Sequence, residues 1–160
     1  MSPAPGSWTL RRMVPADVAA VHALERRLFP VDAWPLEMFY TEFFQPDTRR
    51  YIVAEVDGAA VGYAGVMVID TTADIQTIGV LPRFEGQGIG RAMLTELLDE
   101  ARRRGAETVM LEVRADNPRA QQLYARFGFE QIHTRKTYYR DGVDAWVMRL
   151  VLAPAGVAAS

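Results

Sequence analysis

Cysteine is absent from this 160-residue chain, which excludes a disulfide framework, thiolate metal sites and a cysteine nucleophile together. Histidine is scarce: His22 and His133 are too few for a zinc site without carboxylate help, and both read as structural. No apolar run approaches the ~20 residues that cross a bilayer, and the opening stretch MSPAPGSWTLRR lacks the apolar centre of a signal peptide. Surplus positive charge is missing too. Lys and Arg number 18 against 20 Asp and Glu, for a formal net charge of −2, so no whole-chain field favours nucleic acid as a direct ligand. A cytoplasmic protein with no metal and no membrane contact is the simplest expectation.

What is present is core. At 49% hydrophobic content the chain is one domain's worth, expected to occupy 1–160 with a core over about 9–150 and a frayed tail over 151–160. A short strand is predicted near Trp8 to Arg11, then a helix capped by Asp17 with Val18, Val21, Leu24 and Leu28 at helical spacing, ended by Pro30. Trp34-Pro35 opens a second short helix whose stripe is Leu36, Phe39, Tyr40 and Phe43; those aromatics serve either core or a pocket wall. YIVAEV and AAVGYAGVMVI flank Asp57-Gly58, a dipeptide suited to a tight hairpin. A strand from Asp74 to Val80 leads into a glycine-rich segment and a helix carrying Met93, Leu94, Leu97, Leu98 and Ala101 on one face. Arg102, Arg103 and Arg104 close that helix before Gly105, which reads as a solvated helix end rather than an RNA patch. Strand TVMLEV, a helix from Pro118 to Phe127, a strand from Phe129 to about Lys136 and a strand from Ala145 to Leu150 complete the pattern. Strands that meander and then alternate with helices predict an α/β fold, a mixed central sheet with helices on both faces.

The glycine-rich segment is Gly86-Gln87-Gly88-Ile89-Gly90, between strand and helix. Glycines at alternate positions let several backbone N–H groups converge, and the first turn of the following helix adds unpaired donors and a partial positive charge. Arg91-Ala92 follows where a nucleotide-hydrolysing loop needs Lys and then Ser or Thr, and the third glycine comes one residue early for a dinucleotide fingerprint. By spacing alone an ordinary glycine-rich turn remains open.

The run TIGVLPRFEGQGIGRAMLTELLDEA resembles the acyl-CoA loop and helix of the GNAT family of N-acetyltransferases. LEVRADNPRAQQLYARFGF, from Leu111 to Phe129, is similar to the second half of that domain. RKTYYRDGVDAWVMRL, from Arg135 to Leu150, and the upstream FPVDAWPLEMF resemble one branch, the RimI-type ribosomal-protein N-terminal alanine acetyltransferases. Together the likeness spans about Thr9 to Leu150 and implies the GNAT acetyltransferase fold, with acetyl-CoA as donor and no metal. Glu85 departs from the pattern, standing where the family places Gln or Arg. A carboxylate there repels a pyrophosphate, so its side chain is expected to turn away and leave the backbone amides, with Arg91 or Arg83, to hold the anion.

Acetyl transfer to an amine needs a neutral nitrogen, a polarised thioester carbonyl and a proton for the departing sulfur. In VMLEV, alternation puts Val109, Leu111 and Val113 on one face and Met110, Glu112 and Arg114 on the other. By periodicity Glu112 is a solvated strand residue; the resemblance implies that it is the general base, working through water, which calls for partial desolvation. Tyr124 shares a helix stripe with Ala120, Leu123 and Phe127 and reads by pattern as core; the resemblance implies that it protonates the coenzyme thiolate and touches the cofactor. Asn117 reads as a helix cap, and by resemblance also bonds the cofactor. Gly79 is either an ordinary strand glycine or a point of close approach; the resemblance implies that Ile78, Gly79 and Val80 pair with the pantetheine and acetyl groups, and that Gly86, Gln87, Gly88, Ile89, Gly90 and Arg91 hold the pyrophosphate. Tyr138 and Tyr139 read as hairpin packing, and the resemblance implies that they roof a peptide slot opposite Trp34. Glu37 and Asp74 are candidates for attracting a basic acceptor terminus. The implied acceptor is the N-terminal alanine of small-subunit ribosomal protein 18; the alternatives are other N-termini, lysine or small amines, or a non-catalytic acyl-CoA-binding module. Fold likeness reads the acceptor loops poorly.

Overall fold

The computed structural model describes residues 7–152. In chain order the elements are β1 (Trp8–Arg12), α1 (Val18–Leu28), α2 (Leu36–Phe43), β2 (Arg49–Val56), β3 (Ala59–Ile69), β4 (Thr72–Val80), α3 (Ile89–Arg103), β5 (Thr108–Arg114), α4 (Pro118–Arg126), β6 (Glu130–Arg135) and β7 (Ala145–Val151). The hairpin predicted at Asp57-Gly58 forms, with both residues at positive φ, 50° and 81°, as a two-residue turn between twisted strands requires. β1 to β4 pair antiparallel in sequence order, β5 joins β4 in parallel, and β7 inserts between β5 and β6 to give the order β1-β2-β3-β4-β5-β7-β6.

Helices cover both faces, as predicted. On one side α3 presses Met93, Leu94 and Leu97, all fully buried, onto β2, β3 and β4, in one core cluster with Val66, Val109 and Leu111. Each such side chain contributes about 1.5–3 kcal/mol of apolar burial. α4 lies on the same side through Tyr124. On the other side α1 and α2 bury Val18, Val21 and Phe39 against Tyr51, Val53 and Tyr63.

Three local expectations need correction. Asp17 does not cap α1: its carboxylate takes both Arg11 terminal nitrogens at 2.7 Å and the Val14 N–H at 2.7 Å, so an ion pair with β1 outcompetes the helix end. Tyr40 belongs to the exposed side of α2, stacked on Phe44, and Glu42 takes the buried place, receiving the Tyr51 hydroxyl and Arg49. The predicted tail begins too early, because Val151 ends β7 and Leu152 is buried with its N–H on the Glu107 carbonyl. Residues 153–160 of that tail lie outside the described residues.

The feature that places the site is where β4 and β5 part. They pair at Thr72, Ala73 and Asp74, opposite Thr108, Val109 and Met110. Beyond that, β4 carries a bulge at Gln76, the residue skipped between Ile75↔Val66 and Thr77↔Gly65. A bulge bends its strand, and β4 swings towards β3 and the glycine loop while β5 continues to Arg114.

Candidate active site

Two cavities meet in the divergence of β4 and β5. The larger, about 860 Å³, runs along Ile78, Gly79 and Val80 to the glycine loop and the α3 amino terminus. The other, about 570 Å³, opens on the α1–α2 side and is walled by Trp34, Tyr138 and Tyr139. Both are lined by Phe29, Ile78, Asn117, Ala120 and Tyr124. The Tyr124 ring therefore stands at the junction of the two spaces.

The loop is built as its composition requires. Gly86 and Gly88 adopt φ of 78° and 87°, the left-handed region where a side chain is strained. Gly88 is the N-cap of α3, so no capping side chain competes for the first-turn N–H groups. Gly86, Gly88, Ile89, Gly90 and Arg91 line the larger cavity. Gln87 is not among the lining residues; its carbonyl accepts the Trp8 indole N–H at 3.0 Å. Arg83 is also not a lining residue, its guanidinium lying 4.8 Å from the Phe84 ring, whereas Arg119 and Arg126 of α4 are. Glu85 has not turned away from the cavity. Its carboxylate meets Arg119 at 3.1 Å, and both residues line the space. Convergent amides, a helix amino terminus and three arginines suit a pyrophosphate, and the long apolar groove along Ile78 to Val80 suits an extended thioester arm.

Gly79 is a close approach, though to side chains: a Cβ there lies 2.8 Å from Leu28 Cδ1 and 3.0 Å from the Tyr63 hydroxyl oxygen. That hydroxyl donates to Glu25 at 2.6 Å. Glu25 also accepts Thr77 Oγ1 at 3.1 Å and the Trp34 N–H at 3.0 Å. Its carboxylate, 2% exposed, thus holds β3, β4 and the Trp34 loop together from beneath the smaller cavity.

β5 follows its predicted alternation. Val109, Leu111 and Val113 are buried while Met110, Glu112 and Arg114 line the smaller cavity. Glu112 is exposed, its side chain 35% so, with Arg135 Nε at 3.4 Å. Asp74, on the same face beside Met110, lines this cavity, and burial followed by the Glu112 charge pushes its carboxyl up. Glu37 is not a lining residue. Burial pushes the Tyr139 hydroxyl up to about 12 and raises Tyr138 too, with Glu112 adding to both. Tyr124 is buried and raised chiefly by that burial, so it holds its proton firmly. Asn117 caps α4, its Oδ1 accepting the Ala120 N–H at 3.2 Å, and faces both cavities.

Pattern reading gave no part to Trp8, Glu25, Arg114 or Arg119. For Arg114 a signal existed, since it falls in phase with Glu112 on the outward face of β5.

An elongated anion cradle joined to a second slot through one buried tyrosine, in a sheet opened between a parallel strand pair, is the architecture of an acyl-CoA-dependent transferase. The chain belongs to the GNAT acetyltransferase family: residues 18–129 match the model of the Acetyltransferase (GNAT) family. It is 41% identical over 147 residues to the N-alpha-acetyltransferase RimI of Mycobacterium tuberculosis, covering 88% of this chain and 90% of that one. To the ribosomal protein bS18-alanine N-acetyltransferase of Escherichia coli it is 33% identical, over 91% of this chain and 98% of that one. The crystal structure of the Escherichia coli ribosomal-protein-S18-alanine N-acetyltransferase superposes with a TM-score of 0.81 at 30% identity, covering 95% and 99% of the two chains. The fold also matches that of Salmonella typhimurium yncA, solved with its cofactor acetyl-CoA, with a TM-score of 0.78 at 21% identity over 94% and 96% of the chains. Among the described residues there is no group of three or more His, Cys, Asp or Glu suited to a metal ion, and no helix is long and apolar enough to cross a membrane.

Proposed function

We propose that this chain, acting as one domain in the cytoplasm, transfers the acetyl group of acetyl-CoA to the α-amine of a protein that begins with alanine, namely small-subunit ribosomal protein 18. The observation that carries the transfer is the junction of two cavities at Tyr124; the choice of acceptor rests on the relatives' activity.

In this reading the larger cavity receives acetyl-CoA, its pyrophosphate on the loop amides and the arginines, its pantetheine arm along Ile78 to Val80. The smaller cavity receives the peptide terminus between Trp34 and the paired tyrosines. An α-amine, pKa about 7.7–8.0, is roughly 10–15% neutral at pH 7, whereas a lysine amine near 10.4 is below roughly 0.1% neutral. A modest carboxylate base therefore suffices for the first and not the second. Glu112 is the base: entry of the peptide displaces solvent and Arg135, and the carboxylate takes the ammonium proton through water. The nitrogen attacks the thioester carbonyl, and the C–S bond breaks as the tetrahedral centre collapses. Tyr124 gives its hydroxyl proton to the departing sulfur, and the second proton shed by the nitrogen as the amide forms returns to the tyrosinate through water. Burial that raises the tyrosine raises the thiol alongside it, which keeps that transfer matched.

The test is incubation with acetyl-CoA and a peptide mixture: the amino-terminal sequence of the ribosomal protein, other free termini, and blocked termini with internal lysine. Mass spectrometry locates the added acetyl group. Modification of the N-terminal alanine alone is expected; modification confined to lysine overturns the acceptor, and coenzyme binding without turnover overturns the enzyme.

A further inference from the structure

We propose that Arg114 is a positioning residue that sets the width of the acceptor slot, by clamping to one strand end the three loops that frame it. The proposal rests on the acceptor reading above, and it extends that reading to which first residue the slot admits.

A guanidinium has five N–H donors in a fixed fork, and Arg114 engages all of them with carboxylates. Its Nε and Nη2 meet Asp116 at 3.0 and 3.2 Å. Its Nη2 and Nη1 meet Asp141 at 2.6 and 3.4 Å, and Nη1 also donates to Asp32 at 2.7 Å. These acids come from three separate connections: α1 to α2, β5 to α4, and β6 to β7. The face of the same guanidinium lies 4.9 Å from the Tyr139 ring. Asp32 stands two residues before Trp34, and Asp141 two residues after Tyr139. Both walls of the slot are thus referred to one side chain, which sits two residues beyond Glu112 on the same face of β5.

A plain stabilising role explains this poorly. Asp116 and Asp141, 56% and 33% exposed at the slot's mouth, belong to pairs that contribute little to stability, and only the Arg114–Asp32 pair, 20% and 18% exposed, is more closely covered. What a forked donor supplies instead is direction, because each carboxylate must lie in its plane. The Trp34 loop is fixed at a second point by Glu25, which takes the Trp34 N–H. With Arg114 it has two anchors, and the gap between Trp34 and Tyr139 becomes a set dimension rather than a fluctuating one. A gap of set width discriminates among first residues by size, which a fluctuating gap does not.

The experiment compares the wild type with Arg114→Gln, Arg114→Lys and Asp141→Asn in two measurements. In the first, kcat and KM are read on peptides that differ only in a first residue of Ala, Ser or Leu. Misplacing slot walls by about an ångström is worth up to roughly a hundredfold, and for Arg114→Gln we expect KM for the Ala peptide to rise about tenfold or more while KM for acetyl-CoA holds. Preference for Ala over Leu should narrow, with Arg114→Lys rescuing only in part because an ammonium lacks the fork. Asp141→Asn should fall between. The second measurement is amide hydrogen exchange, which needs no turnover: protection should drop in segments 29–35 and 136–144 and hold in 82–90. Equal losses on every peptide, full rescue by lysine, or unchanged exchange in both segments overturns the proposal. If the wild type acetylates no peptide terminus the acceptor reading fails, while the exchange result still decides whether Arg114 is the clamp.

Discussion

The Trp8 indole N–H donates to the Gln87 carbonyl oxygen at 3.0 Å, tying the first strand of the sheet to the glycine loop across 79 positions of sequence. The bond orients the Gln87–Gly88 peptide, and with it the amides that face the larger cavity. A net hydrogen bond is worth about 1 kcal/mol. Trp8→Phe, which keeps the ring bulk and removes the donor, is therefore expected to weaken acetyl-CoA binding about fivefold by calorimetry, with the melting temperature nearly unchanged.

Glu112 and Tyr124 answer to different readouts. General acid or base groups contribute about 10²–10⁴ in rate, so Glu112→Gln and Tyr124→Phe should each lower kcat on that scale and leave coenzyme affinity in place. Unchanged turnover in either variant removes that residue from the mechanism.

At the cavity mouth, Glu85 meets Arg119 at 3.1 Å. Glu85→Gln removes a carboxylate from beside the anion cradle and releases a guanidinium to it. Charges about 4 Å apart in water interact by about 1 kcal/mol. Acetyl-CoA affinity should rise about twofold to fivefold at low salt, and the gain should shrink as ionic strength increases. Exposed pairs matter little to folding, so urea unfolding is expected to be unaltered.

Removing Glu25 is expected to destabilise the fold as well as to free the Trp34 loop from one of its two anchors. Its carboxylate accepts from Tyr63, Thr77 and the Trp34 N–H, and Tyr63 is fully buried. Stranding those donors costs about 2–4 kcal/mol in urea denaturation of Glu25→Ala. Glu25→Gln keeps one acceptor oxygen and should lose less.

Acid should open the acceptor loops. Hydrogen bonds from Arg114 hold the Asp116 and Asp141 carboxyls below their ordinary value of 3.8. A carboxyl whose folded value is depressed stabilises the folded arrangement fully above the unfolded value, and that contribution disappears as pH falls through the folded one. Exchange protection in segments 29–35 and 136–144 is thus expected to hold from neutrality down to about pH 4 and to fall below it. Arg114→Gln should lack that transition.

Local chemistry was the legible part of this chain. Val109 to Val113 alternate as read, Asp57-Gly58 makes its turn, and Asn117 caps α4 with Pro118 behind it. Contacts that join distant segments were not legible. Insertion of β7 between β5 and β6 depends on which strands find each other, and periodicity within a strand is silent about that. Asp17 shows the same limit from the other side: its place before a helix predicts a cap, yet Arg11 on the neighbouring strand offers a charged partner and wins. Phase with Glu112 marks Arg114 itself, but the clamp draws on Asp32, 82 positions away, and on Asp141, partners that nothing near Arg114 announces. At the candidate site, family likeness singles out Glu112 and Tyr124, whose pattern alone reads as surface and core.

Where β4 leaves β5 after Asp74, the sheet acquires an edge in its interior, far from the outer strands β1 and β6. Ordinary sheet edges lie outside, where another chain's strand can add to them. This one lies at the bottom of a cleft between Tyr124 and the glycine loop, and an incoming polypeptide strand would need room for side chains on both of its faces. A thin chain of methylenes and amides needs no such room. In the acetyl-CoA reading proposed above, that edge is open to a slender ligand whose amides pair with its backbone and closed to the protein strands that an exposed edge would recruit.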